Sequence, residues 1–356
     1  MIKKFDALTG FRALAASLVF LYHNRKYWRA DLHPEILRLI NEFHIGVSLF
    51  FVLSGFLLAY TYGDKPAQNK KEYFKYIIVR CGRILPLYWL ILTAFYLDPE
   101  FGNLKFSFLT YSLLHGFSNL LCLDGIAQAW SLSVEFTFYL LLPLLCVLDK
   151  KKFLYLLLFL IGLFFVTWLT GVVWTHVNGN PNEYFKPIDF ILKGTFAGRW
   201  IEFLAGMVLA KLIAGGSNKS AVFWRIKYKT FIGFIGIFLT AYLIGLFQPD
   251  IYKHGVDHPV GYAISVSLLP LFTVLLLAGL ISEASLLQRF FSSKIMILLG
   301  NASFAFYLIH ISYVSIKLRS VWLGPDRNFI LLWIISILLY LLYEKPIYKW
   351  IRSFAK

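Results

Sequence analysis

Arg12 and His23 stand eleven positions apart in an otherwise apolar stretch. On a helix of 3.6 residues per turn that spacing is about three turns, so both share one face, about 16 Å apart along the axis. Ionisable groups inside an apolar helix are costly and mark functional positions by default. The plainer reading is an arginine that neutralises a neighbouring helix and a histidine that reaches outward. A shared face asks instead for one elongated ligand or a pathway. A second group is Trp130-Ser131-Leu132-Ser133-Val134-Glu135. A carboxylate beside an imidazole orients it, fixes its tautomer and raises its basicity, as general-base chemistry needs. Glu135 is therefore the expected support for His23. The alternative is a structural hydrogen bond between packed helices.

Arg80 and Arg83, at i and i+3, close a basic stretch with Lys70, Lys71 and Lys75. Two guanidinium groups on one helical face suit bidentate phosphate binding. Arginines at a cytoplasmic helix end are also what membrane topology alone requires. Weaker signals follow. His44 precedes a run from Gly46 to Gly55 whose small residues permit close helix approach. Arg199 and Glu202 form an i, i+3 pair, read as mutually compensating. Tyr307 and His310 share a helical face, His310 reading as a buried histidine satisfied by a neighbour. No loop offers a glycine-rich phosphate cradle, a zinc spacing or a serine elbow. Cys81, Cys122 and Cys146 share no metal-like spacing and offer no disulfide framework.

The elements that must position these residues follow from composition. Of 356 residues, 59% are hydrophobic, 19% aromatic and only 15% charged, and the mean hydropathy is +0.67. A soluble domain is about 45–50% apolar and about 25% charged, so soluble, disordered and collagen-like classes are excluded. A net charge of +16 would suggest nucleic acid on a polar chain, but not on this one. The chain reads as an all-α, polytopic membrane protein. Windows of about 17–25 apolar residues mark spanning helices. Ten candidates cover residues 7–24, 43–62, 83–97, 130–148, 153–174, 195–213, 230–247, 260–281, 297–317 and 328–343. Residues 104–121 form a possible interfacial or re-entrant segment. The apolar run near the N-terminus is interrupted by Asp6 and Arg12, which argues for a retained first helix over a signal peptide.

An even helix count puts both termini on one side. With that side cytoplasmic, 22 of the 35 Lys and Arg residues face the cytoplasm, which is the positive-inside bias. Arg12 then lies in the inner half of the first helix, Arg80 and Arg83 at the inner face, and His23 and Glu135 near the outer face. No internal repeat is visible, and residues 1–356 read as one membrane-embedded domain without an appended soluble one.

Taken together, these motifs resemble the acyltransferase-3 family of integral-membrane acyltransferases. Arg12 and His23 match its Arg/Lys-x10-His signature, Phe50-Phe51-Val52-Leu53-Ser54-Gly55 its second-helix run, and Arg80–Arg83 its Arg-x-x-Arg. The Trp130–Glu135 segment with Phe138, Tyr139 and Pro143 is similar to its Trp-Ser-Leu-Ser-x-Glu motif. Arg199, Phe203 and Gly206 match its sixth-helix pattern. Ser303-Phe304-Ala305-Phe306-Tyr307-Leu308-Ile309-His310 resembles its late Ser-Tyr-x-x-Tyr-Leu-x-His motif, with Phe304 where tyrosine is usual.

The resemblance implies O-acylation, usually O-acetylation, of surface-polysaccharide sugars such as those of lipopolysaccharide O-antigen, in a bacterial cytoplasmic membrane. Acetyl-CoA from the cytosol is the implied donor, and no metal is implied. Arg12, Lys75, Arg80 and Arg83 are the expected donor contacts, and His23 with Glu135 the catalytic pair. Trp130, Ser131, Ser133, Arg199, Tyr307 and His310 are expected on the acceptor side. Residues 24–42, with Tyr27, Trp28, Arg29, Asp31 and His33, and residues 97–128 are further expected acceptor contacts. The expected partners are acyl-CoA, a lipid-linked or polymeric glycan and membrane lipid, with no nucleic acid. Two alternatives stay open: a precursor transporter or flippase, and the same fold carrying succinyl or another acyl group. A transporter would favour inverted repeats with broken helices.

Overall fold

A computed structural model of the chain describes residues 5–354 except 29–30, 64–68, 99–106, 179–187, 216–222, 224, 251–252 and 322–323. Arg29, Lys65 and part of the 97–128 segment lie outside the described residues. The described residues are 86% helical and contain no strand. In chain order the helices are α1 (Asp6–Asn24), α2 (Pro34–Asn41), α3 (Gly46–Tyr62), α4 (Lys70–Leu97), α5 (Ser107–Tyr111) and α6 (Trp130–Lys151). Then come α7 (Phe153–Asn178), α8 (Ile188–Gly194), α9 (Phe196–Ala214), α10 (Lys229–Gly245) and α11 (Pro259–Ser282). The chain ends with α12 (Leu286–Phe291), α13 (Lys294–Ile309), α14 (Tyr313–Val321), α15 (Pro325–Leu339) and α16 (Lys345–Phe354), the last two joined by a π-helical turn (Tyr340–Glu344).

Among the described residues six helices are long and apolar enough to cross a membrane, or seven if α13 and α14 make one span. Ten were expected. The shortfall falls on α1, with Asp6 and Arg12 inside it, on α9, with Arg199, Glu202 and Lys211, and on α10, which has only 17 residues. Two expected boundaries also move. The segment expected at 83–97 is the second half of a 28-residue helix, because the basic stretch from Lys70 is helical too. Asn69 caps its start by accepting from the Glu72 amide at 2.9 Å. The segment expected at 297–317 is broken, with α13 and α14 bent by 85°. At the break the His310 ring takes up the Tyr307 carbonyl, one of the four acceptors a helix end leaves open.

The described chain forms two compact units. The first comprises Met1–Thr61, Ile201–His310 and Leu318–Ile337, and the second Tyr62–Trp200, Ile311–Lys317 and Leu338–Lys356. The core of the first unit is built on Phe11, Ile45, Val52, Phe56, Leu276 and Phe291. Backbones approach closely where side chains vanish: a Cβ on Gly206 would lie 2.0 Å from the Val52 carbonyl, and one on Gly55 2.2 Å from that of Phe203. The expected close approach in the 46–55 run is thus a contact of α3 with α9. Phe51 and Phe203 stack beside it at 4.7 Å. In the second unit α7 has only 17% of its most apolar window buried, as suits a face turned to lipid.

Candidate active site

His23 lies in the last turn of α1 and is half-buried. α1 packs on α13 closely enough that a Cβ on Gly300 would come within 1.8 Å of the Thr9 carbonyl. Farther along this pair of helices, His23 and His310 face each other with ring centroids 5.2 Å apart. His310 is fully buried, and its Nδ1 lies 2.7 Å from the Tyr307 carbonyl oxygen. Its ring stacks on Phe306, which stacks in turn on Trp333. The buried Tyr307 ring lies 5.5 Å from His310 and 6.2 Å from Phe50. His23, Tyr307 and His310 thus lie together in the first unit, a grouping the sequence reading did not anticipate, and α1 also carries Arg12, half-buried.

Two further histidines join this cluster, and sequence reasoning missed their connection. Glu42 is fully buried and accepts from the Gly255 amide at 2.6 Å and from Gln248 Nε2 at 2.8 Å. Its other oxygen lies 3.0 Å from His44 Nε2. His254 Nε2 pairs with the Tyr22 hydroxyl at 3.0 Å, and the His44 and His254 rings are 5.2 Å apart. Burial and neighbouring His44 push His254 down to about 4, against the opposing pull of Glu42 and Asp257. His254 is therefore neutral at pH 7, and its tautomer is free to suit Tyr22. The Glu42-x-His44 spacing was a visible signal, but Gln248, His254 and Gly255 lie more than 200 positions away.

Arg319 was also missed. It donates to Asn24 Oδ1 at 2.6 Å and to the Tyr27 hydroxyl at 3.0 Å, so α14 is anchored directly after His23. Tyr27, one of the expected acceptor contacts, is thereby partly engaged.

The second unit holds the other expected residues outside the 24–42 segment. Arg80 is buried and donates to the Tyr62 hydroxyl at 2.7 Å, with its guanidinium over the Tyr62 and Tyr76 rings. Its Nε is buried without a partner among the described residues. Arg83 is half-buried one turn on, without an ion pair among the described residues, and Lys75 is half-buried. Glu135 accepts from the Tyr139 hydroxyl at 2.8 Å, and Tyr139 lies within electrostatic reach of both Arg80 and Arg83. The carboxylate expected to support His23 thus has a tyrosine partner within its own unit, while His23 belongs to the first.

Trp130 opens α6, and the two serines after it are committed to backbone. Ser131 Oγ donates to the Gln128 carbonyl at 3.0 Å, and Ser133 Oγ to that of Leu113 at 2.6 Å. Both are buried and hold the start of α6 against the preceding loop. Arg199 donates to the Lys193 carbonyl at 3.4 Å. Among the described residues no group of three His, Cys, Asp or Glu side chains is arranged to hold a metal.

Comparison with known proteins narrows what this geometry serves. A family model described as an acyltransferase domain matches residues 5–343. The chain is 25% identical over 345 residues to the peptidoglycan O-acetyltransferase OatA of Listeria monocytogenes, covering 88% of this chain and 50% of that protein. It is 22% identical over 373 residues to the O-acetyltransferase OatA of Staphylococcus aureus, covering 97% of this chain and 56% of that one. A putative O-acetyltransferase of Staphylococcus aureus, SACOL0978, is 23% identical over 342 residues, 86% of this chain and 50% of that one. The chain spans about half the length of the curated relatives it matches. No solved structure matches it.

Proposed function

Because the chain belongs to the acyltransferase-domain family, we propose that it is a membrane O-acetyltransferase that acetylates a sugar hydroxyl of a cell-surface polysaccharide. The observation that carries this reading is His23. It is an imidazole in an apolar helix, half-buried, with no hydrogen-bond partner among the described residues. In its neutral form an imidazole so placed can take the proton of a hydroxyl as general base. Acetyl-CoA, when bound, supplies the thioester carbonyl and a thiolate leaving group. His23 takes the proton of the acceptor hydroxyl as the oxygen adds to the carbonyl, and returns it to the departing sulfur. Glu135 is the second catalytic group in this reading.

The donor's phosphates would be held by Arg80 and Arg83, with Lys75 and Arg12 as further cationic contacts. The residues present fit such a group. Among the described residues Arg80 is a buried guanidinium whose Nε has no partner and which makes no ion pair, and Arg83 has no ion pair there either. On the acceptor side the reading uses Trp130, Arg199, Tyr307 and His310. Ser131 and Ser133 serve there by fixing α6, since their hydroxyls are spent. Both termini face the cytoplasm of a bacterial inner membrane in this reading, and His23 meets a glycan arriving from outside.

Purified protein in nanodiscs, given radiolabelled acetyl-CoA and either peptidoglycan fragments or lipopolysaccharide, tests the activity and separates the two acceptors. Labelled glycan is expected from the wild type, and background label from His23→Ala of unchanged melting temperature. Near-wild-type transfer by that variant would remove His23 as base. Parallel reactions with succinyl-CoA decide the acyl group. Uptake of glycan precursor into proteoliposomes without any acyl transfer would favour the transporter alternative.

A further inference from the structure

His310 is an imidazole whose proton the fold places. Its Nδ1 lies 2.7 Å from the Tyr307 carbonyl oxygen, and a carbonyl only accepts. The hydrogen of the neutral ring therefore sits on Nδ1, and Nε2 is left as a bare lone pair. Nε2 is buried from solvent with no partner among the described residues, an arrangement native interiors keep only where something completes it. The ring is not free to turn away. It lies parallel to Phe306, at an interplanar angle of 6°, and Phe306 is clamped at 4.0 Å on Trp333. Arg319 is the charged neighbour of His310, but it donates to Asn24 and Tyr27; the facing ring is His23, 5.2 Å away between centroids. That separation is about one hydrogen bond plus two ring radii.

We propose that His310 is the positioning residue of the His23 base. Its Nε2 accepts an N–H of His23, which leaves the opposite nitrogen of His23 unprotonated and aimed at the acceptor hydroxyl. His23 has no competing hydrogen bond among the described residues, so a turn of its ring about Cβ–Cγ completes the pair. The role is that of the carboxylate in a Ser-His-Asp triad, filled here by a neutral imidazole. The acceptor O–H bond breaks and its proton goes to His23, whose other N–H stays on His310 Nε2. The C–O bond forms, the C–S bond of the thioester breaks, and His23 gives the proton to the sulfur. This proposal rests on the acyl-transfer reading for its chemistry, but not for the placement of the two protons.

Two measurements test it separately. In protein labelled with 15N-histidine, the His310 signal (identified by its loss in His310→Phe) is expected to show a protonated Nδ1 and an unprotonated Nε2. The His23 signal is expected to move in that variant. A protonated Nε2 on His310, or a His23 signal indifferent to His310→Phe, overturns the pairing whether or not any acetyl group is transferred. In the transfer assay, His310→Phe keeps a ring on Phe306 but has no acceptor. It should lower kcat by about 100-fold or more with KM for acetyl-CoA within about twofold, the range general-base support commands. His310→Gln returns an acceptor oxygen near Nε2 and should recover at least about tenfold over the phenylalanine variant. A purely structural role predicts the reverse order, phenylalanine above glutamine, and would also overturn the proposal. If the nitrogen pattern holds while the wild type transfers no acetyl group, the acyl-transfer reading fails and the pairing stands.

Discussion

Glu42 accepts the Gly255 amide at 2.6 Å across more than 200 residues of sequence. With Gln248 and His44 on the same carboxylate, this bond fastens the segment before α11 to the segment before α3, beside Tyr22. The carboxylate is completely buried, so its donors have no water to turn to. Glu42→Ala should therefore cost about 1–3 kcal/mol for each buried donor left unpaired. A lowered melting temperature and faster hydrogen exchange around residues 253–258 are the readouts. An unchanged melt would mean the segment is held by other contacts.

His254 makes stability depend on pH within a defined window. Its folded value is about 4, against an unfolded value of about 6.5. Between these values the unfolded chain binds the extra proton, so stability falls as pH drops from about 6.5 towards 4. The slope from this one group is at most about 1.4 kcal/mol per pH unit. His115, also pushed down to about 4 by burial, adds to the same window. His254→Gln keeps a partner for Tyr22 but does not titrate. Melts recorded from pH 7 to pH 4 should show a shallower acid decline in that variant, and parallel curves would refute the assignment.

Glu283 caps α10 from the loop after α11. Burial pushes its carboxyl up, but bonds from the Thr230 amide and hydroxyl and from Lys229 bring it below its ordinary range. A carboxylate at a helix N-terminus contributes about 0.3–2 kcal/mol. Because the folded value is depressed, that contribution is present above about pH 4.5 and is lost as pH falls through the lower folded value. Glu283→Gln should thus lower stability at pH 7 and converge with the wild type in acid. A constant difference at every pH would show that packing, not charge, is what the substitution removed.

The parts legible in sequence were those written in local spacing. Arg12 and His23 on one helix, Arg80 and Arg83 one turn apart, and the run of small residues at 46–55 all follow from helical periodicity, and the structure keeps each of them. The break after Ile309 was not legible, because no proline or glycine marks it and the carbonyl it frees is taken by the His310 ring. The partners of polar groups were illegible for a different reason. Glu42 finds Gly255, Tyr22 finds His254 and Arg319 finds Asn24 at separations of more than 200 residues, and only tertiary packing brings these together. Glu135 shows the converse. Its hydrogen-bond partner Tyr139 is four residues away on the same helix, a pairing periodicity does allow but that a search for a distant imidazole passes over.

The α3–α9 contact gives the sharpest packing prediction, because the chain carries its own control. A methyl group on Gly206 would sit 2.0 Å from the Val52 carbonyl oxygen and 2.5 Å from the Phe56 nitrogen, whereas one on Gly162 in α7 would meet nothing within 4 Å among the described residues. Both glycines lie inside helices, so both substitutions to alanine gain the same backbone term, about 0.5–1 kcal/mol. At Gly162 nothing opposes it, and Gly162→Ala should raise the melting temperature or leave it unchanged. At Gly206 the two backbones must part, an overpacking cost of about 1–3 kcal/mol that exceeds the gain, so Gly206→Ala should melt lower. The displacement would be felt at Phe51, whose ring stacks on Phe203 at 4.7 Å, and next to it at Phe50, which touches the Tyr307 ring. Thermal melts of the two variants side by side decide the matter: equal shifts would mean that α3 and α9 are not held as closely as the glycines require.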